Sequence, residues 1–330
     1  MSIKNKNVVV TGAGGFIASH LTEELVRRGA NVKAFVHYNS RNDWGLLELA
    51  EKDLLDKVEV ISGDVTDPFF VNSVTKDTDI VFHLAALIGI PYSYVAPEHY
   101  VNVNVKGTLN VLQACLDNGV GKMVHTSTSE TYGTAEYTPI DEKHPLKGQS
   151  PYSASKIGAD KMAESYYRSF DLPVATIRPF NTFGPRQSAR AIIPTIISQA
   201  LTRDEIHVGS LTPVRDMTYV KDTVNGFIEV GLSERSSGET INVGTGSGAT
   251  IGVILEKILK ILGKEDIPVI EEQNRVRPGK SEVMELICDN SKAKDLLNWS
   301  PEYSLDNGLK ETIEWMQEYT KLYKPDMYVI

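Results

Sequence analysis

Cysteine is scarce in this chain: there are 2 in 330 residues, Cys115 and Cys288, each in apolar surroundings. They form no CxxC pair and show no metal-ligand spacing, which excludes a disulfide scaffold and a thiolate metal centre and points to core thiols in a reducing compartment. No stretch approaches 18 apolar residues, so no membrane-spanning helix is expected. The apolar run near the N-terminus, NVVV, is too short for a signal segment, and a cytoplasmic protein is expected. Long tracts of one charge, internal repeats and low-complexity linkers are also missing. The seven histidines form no ligand-like cluster, so no metal is expected. With 43 acidic against 34 basic residues, the net charge of -9 argues against nucleic acid or an anionic membrane surface as partner.

What is present is an ordinary globular composition, 41% hydrophobic and 23% charged, on a chain longer than one typical domain. Residues 7–11 (NVVVT) read as a buried strand. Gly12-Ala13-Gly14-Gly15-Phe16-Ile17-Ala18, an amphipathic helix ending at Gly29 and a second strand, VKAFVHY, follow within about 30 residues. Strand, glycine turn, helix and strand form the setting a dinucleotide fingerprint needs. Gly12 permits the tight turn, Gly15 lets the helix N-terminus approach a pyrophosphate, and the helix dipole favours the anion. Ala18 stands where a third glycine often sits, and its methyl still allows close packing.

The alternation continues through VEVISGDV (58–65), a helix around 67–75, DIVFHLAA (79–86), a long helix over about 97–118 and KMVHTST (122–128). A helix from Tyr152 to about Phe170 and the strand VATIRPF (174–180) complete it. Apolar runs without strict alternation indicate strands buried on both faces, hence an α/β doubly wound parallel sheet of the Rossmann type. After Phe180 the elements shorten, but ETINVGTG (239–246) reads as a strand returning to the first sheet. The expected division is residues 1–180 plus about 221–250 for cofactor, and about 181–220 plus 251–330 as a smaller, interleaved substrate domain.

The chemistry concentrates between Thr126 and Lys156. Tyr152 and Lys156, spaced i,i+4, share one helical face. A phenol of ordinary pKa near 10 is a poor base unless a neighbouring positive charge favours phenolate, and Lys156 can supply it. Thr128, Ser129 and Glu130 leave the preceding strand at its C-terminal edge, the ligand side of an open α/β sheet. Hydroxyl, phenol, amine and carboxylate together suit proton and hydride transfer on an alcohol. His83, inside an apolar strand, reads as a structural histidine. Tyr132 reads either as a shelf beside a nicotinamide or as core.

The ordered segments TGAGGFIASHL (11–21), GDV (63–65), FHLAA (82–86), NVKGTLNVL (104–112), STSETYG (127–133), PYSASK (151–156), RPFNTFGPRQ (178–187), RDMTYVKD (215–222) and RPGKSEV (277–283) carry a resemblance over nearly the whole chain. The chain resembles the extended short-chain dehydrogenase/reductases, in their nucleotide-sugar branch of epimerases, decarboxylases and 4,6-dehydratases. The resemblance implies an NAD(P)-dependent lyase making a 4-keto-6-deoxy sugar nucleotide. Thr128 would hydrogen-bond the sugar 4-hydroxyl, Tyr152 would take its proton as hydride passes from C4, and Lys156 would stabilise the phenolate and hold the cofactor ribose. Glu130, two residues after Thr128, matches the carboxylate that 4,6-dehydratases add for the C5 proton. The Thr-Ser-Glu triplet is most similar to dehydratases acting on GDP-mannose and, in legionaminate-type pathways, on N-acetylglucosamine nucleotides. Related dTDP-glucose dehydratases carry Asp at the Ser129 position, so Glu130 itself is the expected proton donor to the departing hydroxyl.

The same resemblance places Gly12, Gly15, Phe16 and Ile17 at the pyrophosphate, Asp64 and Val65 at the adenine, and Leu84, Ala85 and Ala86 along the cofactor. Asn181, Arg215, Arg277 and Glu282 would bind the sugar nucleotide, the arginines by the planar fork that suits phosphate. Residues 37–41, HYNSR, carry no acid for a ribose, and Arg41 is compatible with the 2′-phosphate of NADP; the closed redox cycle that the resemblance implies makes NAD the expected cofactor. The segment Pro91–Tyr94 is expected to be a loop shaping sugar choice. A homodimer through the helices 97–118 and 152–170 is implied. The favoured substrate is a UDP- or GDP-N-acetylglucosamine. The rival readings are a UDP-glucuronate decarboxylase, a 4-epimerase and a non-catalytic NAD(P) sensor.

Overall fold

In a computed structural model, which describes residues 2–272 and 283–323, strands and helices alternate from the start of the chain. The first half runs β1 (Asn7–Thr11), α1 (Phe16–Arg27), β2 (Asn31–His37), α2 (Lys52–Leu55), β3 (Val58–Gly63), α3 (Pro68–Val74) and β4 (Ile80–His83). Then come α4 (Ile90–Val95), α5 (Pro97–Tyr100), a π-helical segment Val101–Lys106, α6 (Gly107–Asp117), β5 (Lys122–Thr126), α7 (Pro151–Phe170) and β6 (Val174–Pro179). The second half holds β7 (Asn181–Phe183), α8 (Ile192–Thr202), β8 (Ile206–Val208), β9 (Val214–Tyr219), α9 (Val220–Leu232) and β10 (Thr240–Val243). It closes with β11 (Gly248–Thr250), α10 (Ile251–Leu262), β12 (Val269–Glu271), β13 (Glu285–Leu286), α11 (Ser291–Leu297) and α12 (Leu305–Glu318).

Seven strands form one parallel sheet in the order β10-β6-β5-β4-β1-β2-β3. The direction of winding reverses between β1 and β4, so the glycine turn after β1 opens at the switch point where doubly wound sheets bind ligands. Alternate residues of each strand feed opposite faces. Val8, Val10, Phe82 and Val124 join one core with Leu21 and Leu25 of α1 and Phe227 of α9. Val9, Val81 and Met123 join the other with Val111 of α6 and Tyr166 of α7. The first core continues through Phe183, Tyr219, Ile254 and Trp299 into the second half of the chain, so the halves share one apolar interior.

A second, mixed sheet has β9 at its centre, flanked by β11, β13 and β7. The strand β10 returns to the edge of the large sheet beside β6, as the run 239–246 indicated. Three expectations are corrected. Strand β4 stops at His83, and Leu84, Ala85 and Ala86 lie beyond it, the Ala85 N–H going to the Thr11 hydroxyl and its backbone lying against Gly12. The segment Pro91–Tyr94 is helical, within α4, begun by Pro91 in the first turn where a missing N–H costs nothing. The helix expected over 97–118 is interrupted by the π-helical segment, a feature that concentrates at functional sites.

Candidate active site

Helix α7 sets the site. Its start is over-determined: Ser150 accepts from the Ser153 N–H at 3.1 Å, the Ser150 N–H donates back to Ser153 Oγ at 3.0 Å, and Pro151 occupies the first helical position. Tyr152 and Lys156 therefore sit in the first two turns with both side chains buried, at 7% and 4% exposure. Burial pulls the Lys156 ammonium down to about 8, with the Asp160 carboxylate acting the other way. Burial likewise pushes the Tyr152 phenol well above its ordinary range; a hydrogen bond with Thr128 opposes this and the charge of Glu130 reinforces it. In this structure burial thus outweighs any help toward phenolate. The Glu130 carboxylate nonetheless stands near enough to the phenol for its charge to be felt.

Strand β5 ends at Thr126, and Ser129–Thr131 form a single 3-10 turn capped by Thr128, whose Oγ1 accepts from the Glu130 N–H at 3.2 Å. Thr131 Oγ1 donates to the Thr128 carbonyl at 2.7 Å, which holds the turn closed. Thr128 and Glu130 are half-buried and Ser129 is buried. The structure thus brings Thr128, Ser129, Glu130, Tyr152 and Lys156 together at one strand end and one helix start. Around Tyr152 pack Ile90, Leu87, Tyr92 and Tyr100, the last edge-on at 6.2 Å between ring centres.

The cofactor cradle is equally specific. Gly12 has φ +72°, and a Cβ added there would lie 2.8 Å from the Ala85 backbone, so no side chain fits. A Cβ on Gly15 would sit 3.1 Å from the Gly12 carbonyl, just before α1 begins at Phe16 and Ile17. Ala18 is buried at 2% exposure, consistent with the close packing its methyl permits. Thr11 Oγ1 accepts from the Ala85 N–H at 3.1 Å and bonds His83 Nδ1 at 2.8 Å. His83 Nε2 meets Thr108 Oγ1 at 3.0 Å, while that hydroxyl donates to the Asn104 carbonyl at 2.6 Å. A neutral His83 with its proton on Nε2 satisfies every member, and burial keeps its pKa low. His83 is structural, as its setting in the strand suggested.

At the outer end of the sheet, Asp64 Oδ1 accepts from both the N–H and the hydroxyl of Thr66 at 2.8 Å, and Asp64 Oδ2 lies 3.9 Å from His37 Nδ1. Val65 is buried and its carbonyl accepts from Asn110 at 2.9 Å. These residues stand at the C-terminal ends of β2 and β3, on the same edge as the glycine turn. On the other side, Asn181 opens β7 with its Oδ1 buried and without a hydrogen-bond partner among the described residues, and Arg215 is buried in β9, donating to the Val214 carbonyl at 3.0 Å. Arg277 and Glu282 lie outside the described residues.

Two positions beside the candidate site, Asn104 and Arg190, escaped the sequence reading. Asn104, on the π-helical segment, donates to the Leu87 carbonyl at 2.9 Å and to Ser155 Oγ at 2.9 Å, and accepts from the Leu87 N–H at 2.8 Å; it ties the loop after β4 to α7. A buried asparagine in NVKGTLNVL was the available signal. Arg190 places its guanidinium beside Gly89, where an added Cβ would be 3.1 Å from Nη1, and its charge reaches the Tyr100 phenol that packs on Tyr152. Tyr132 is core: its hydroxyl donates to Asn242 Oδ1 at 2.7 Å and accepts from Arg178 Nη1 at 3.0 Å.

The family described as GDP-mannose 4,6 dehydratase matches residues 9–312. The chain belongs to that family. It is 32% identical to the dTDP-glucose 4,6-dehydratase of Streptomyces antibioticus, over 97% of this chain and 95% of the relative. It is 31% identical to the UDP-N-acetyl-alpha-D-glucosaminuronate decarboxylase of Bacillus cytotoxicus, over 95% and 98%. Among solved structures, DesIV, a dTDP-glucose 4,6-dehydratase from Streptomyces venezuelae with NAD and TYD bound, superposes with a TM-score of 0.88 at 28% identity, covering 97% of this chain and 99% of that one. The chain is thus an enzyme of the extended short-chain dehydrogenase/reductase group, in the branch of nucleotide-sugar dehydratases, epimerases and decarboxylases. No helix among the described residues is long and apolar enough to cross a membrane.

Proposed function

We propose that the protein is a nucleotide-sugar 4,6-dehydratase, acting on a UDP- or GDP-N-acetylglucosamine and yielding its 4-keto-6-deoxy product. The observation that carries this reading is Glu130 on the turn that Thr128 caps, its charge acting on the Tyr152 phenol. A simple 4-epimerase needs the hydroxyl, phenol and amine but not that carboxylate.

The cradle at Gly12 and the N-terminus of α1 fit NAD, whose pyrophosphate approaches only where no Cβ intervenes. Held by the Gly12 turn and the α1 N-terminus, NAD would supply the hydride acceptor for C4 and the hydride donor for C6. Tyr152 takes the 4-hydroxyl proton, Thr128 holds that oxygen, and the Lys156 ammonium favours the phenolate. The resulting ketone acidifies C5–H, and Glu130 removes that proton and delivers it to the departing C6 hydroxyl, which leaves as water; once hydride has reached C6, the proton held by Tyr152 returns through solvent to C5, which restores both residues. Ser129 is neutral and buried behind the turn, which leaves Glu130 as the acid. Gly15, Phe16, Ile17, Asp64, Val65, Leu84, Ala85 and Ala86 line the cofactor, and Asn181, Arg215, Arg277 and Glu282 hold the sugar nucleotide. Residues 1–180 with 221–250 form the cofactor unit and the remainder the sugar-nucleotide unit, in a cytoplasmic homodimer joined through α6 and α7.

A second reading, a hexuronate decarboxylase, draws support from Arg190, a guanidinium beside the Tyr100–Tyr152 pair that suits a sugar carboxylate. One experiment separates the readings. Purified enzyme is incubated separately with UDP-GlcNAc, GDP-GlcNAc, GDP-mannose, dTDP-glucose and UDP-glucuronate, with and without NAD, and masses are recorded. Loss of one water from an N-acetylglucosamine nucleotide is expected, and Glu130→Gln should abolish it. Loss of carbon dioxide from the glucuronate would replace the proposal with decarboxylation; unchanged masses with an epimerised sugar, retained in Glu130→Gln, would replace it with a 4-epimerase.

A further inference from the structure

Beneath the reacting groups lies a charged residue that the reaction scheme does not use. Asp160 stands one helical turn beyond Lys156 on α7, 5% exposed. Its carboxylate accepts from His125 Nε2 at 3.0 Å, Ser127 Oγ at 2.7 Å and Arg178 Nη2 at 2.8 Å. Ser127 immediately precedes Thr128. Arg178 reaches on to the Tyr132 hydroxyl at 3.0 Å, immediately after the turn that carries Ser129 and Glu130. One carboxylate therefore binds the helix of Tyr152 and Lys156 to both ends of the segment carrying Thr128 and Glu130.

We propose that Asp160 is a positioning residue that keeps Lys156 an ammonium and fixes the register of the two catalytic segments against each other. The proposal rests on the Tyr152–Lys156 reading of the site. The groups that face this carboxylate and Lys156 are few. From β4 comes His83 and from β5 His125, both kept neutral by burial, although the Asp160 bond partly opposes this for His125. From β6 comes Arg178; from α7 itself, Tyr152; and from the 3-10 turn, Glu130, which acts on the phenol. Arg178 divides its guanidinium between Asp160 and Tyr132, over whose ring it also stands at 4.9 Å. Desolvation opposes a charged Lys156, and Asp160 is the anion that counters it. Without that anion, a buried ammonium gives up its proton at lower pH.

The test uses holoenzyme and the sugar nucleotide that reduces its bound NAD, with kcat and KM followed against pH. The unaltered enzyme should lose activity through a basic limb near pH 8, where Lys156 deprotonates. In Asp160→Asn the limb should move down by about one pH unit, so that kcat falls about tenfold at the alkaline end and far less at the acid end, with KM little changed. Asp160→Glu, which keeps the charge, should restore the limb. Arg178→Gln, which removes the cation opposing Asp160, should move it up, and gives an independent reading if Asp160→Asn does not fold. Ser127→Ala, which removes a donor but no charge, should leave the limb in place whatever it does to stability. An unmoved limb in whichever of Asp160→Asn and Arg178→Gln folds, or no basic limb in the unaltered enzyme, overturns the proposal. Failure of every sugar nucleotide to reduce NAD would instead overturn the Tyr152–Lys156 reading and this proposal with it.

Discussion

The seven-stranded sheet and the smaller sheet around β9 are held by different chemistry. In the large sheet, strands such as β1, β4 and β5 are buried on both faces, with Val9, Val81, Phe82, Met123 and Val124 all at 0% exposure. Its cohesion is apolar, about 1.5–3 kcal/mol for each fully buried large side chain. In the small sheet, β7 and β11 have three residues each and β13 has two, too few to bury much. Buried carboxylates take over there. Asp216 accepts from the Thr245 N–H and hydroxyl, the Gly246 N–H and the Cys288 N–H at 2.6–3.2 Å. Asp222 accepts from the Glu302 and Tyr303 N–H groups at 3.0 Å each. Apolar burial is non-directional and tolerates many sequences, whereas a carboxylate receiving four donors fixes loops individually. The large sheet is therefore the generic part of the molecule and the small sheet the specific part.

That contrast can be pressed at four points, from the largest effect to the smallest. Gly12→Val, on the large sheet's ligand edge, should remove bound NAD almost entirely, because φ +72° and the Ala85 backbone at 2.8 Å leave no room; absorbance and mass of the purified protein would measure it, and retained cofactor would contradict the cradle. Phe82→Ala should cost about 3–5 kcal/mol in urea unfolding, the loss typical of a cavity in a close-packed core. Asp216→Ala should cost about 2–4 kcal/mol, but locally: the amides of Thr245, Gly246 and Cys288 should exchange faster with deuterium while those of β4 and β5 keep their protection. Uniform acceleration across both sheets would erase the distinction between them.

The smallest effect concerns one of the buried polar residues of the large sheet. Lys122, in β5, is pulled down to about 8 by burial while its Nζ donates to the Ser233 carbonyl and to Ser237 Oγ. Its pKa is lower folded than unfolded, so burying the charge costs stability below the folded value. That cost is relieved as pH rises from about 8 toward 10.5. Relative to Lys122→Met, the unaltered protein should gain stability across that window by on the order of 1 kcal/mol, reduced by the partly open side of the group. A flat difference would show that the ammonium is not desolvated.

The large sheet was legible because its strands are long apolar runs separated by helices; even the return of 239–246 beside β6 could be read. The glycine turn, Tyr152–Lys156 and Thr128–Glu130 were legible because their chemistry lies in short contiguous spacings. Asn104, Arg190 and Asp160 were not, since each acts through partners distant in sequence: Leu87 and Ser155, Gly89, and His125 with Arg178. The helix at Ile90–Val95 was hidden by a proline that reads as a loop signal and here opens a turn.

By itself the sequence determined the fold class and marked the glycine turn and the candidate reacting groups, because these follow from local periodicity, from backbone freedom at Gly12 and from side-chain chemistry. Only the tertiary structure decided their electrostatics. Lys156 near pKa 8, a suppressed Tyr152, a neutral His83 and an ionised Asp160 depend on which groups are shut away from water together and which donors reach them. Desolvation is a property of the folded interior, and no run of residues carries it along the chain.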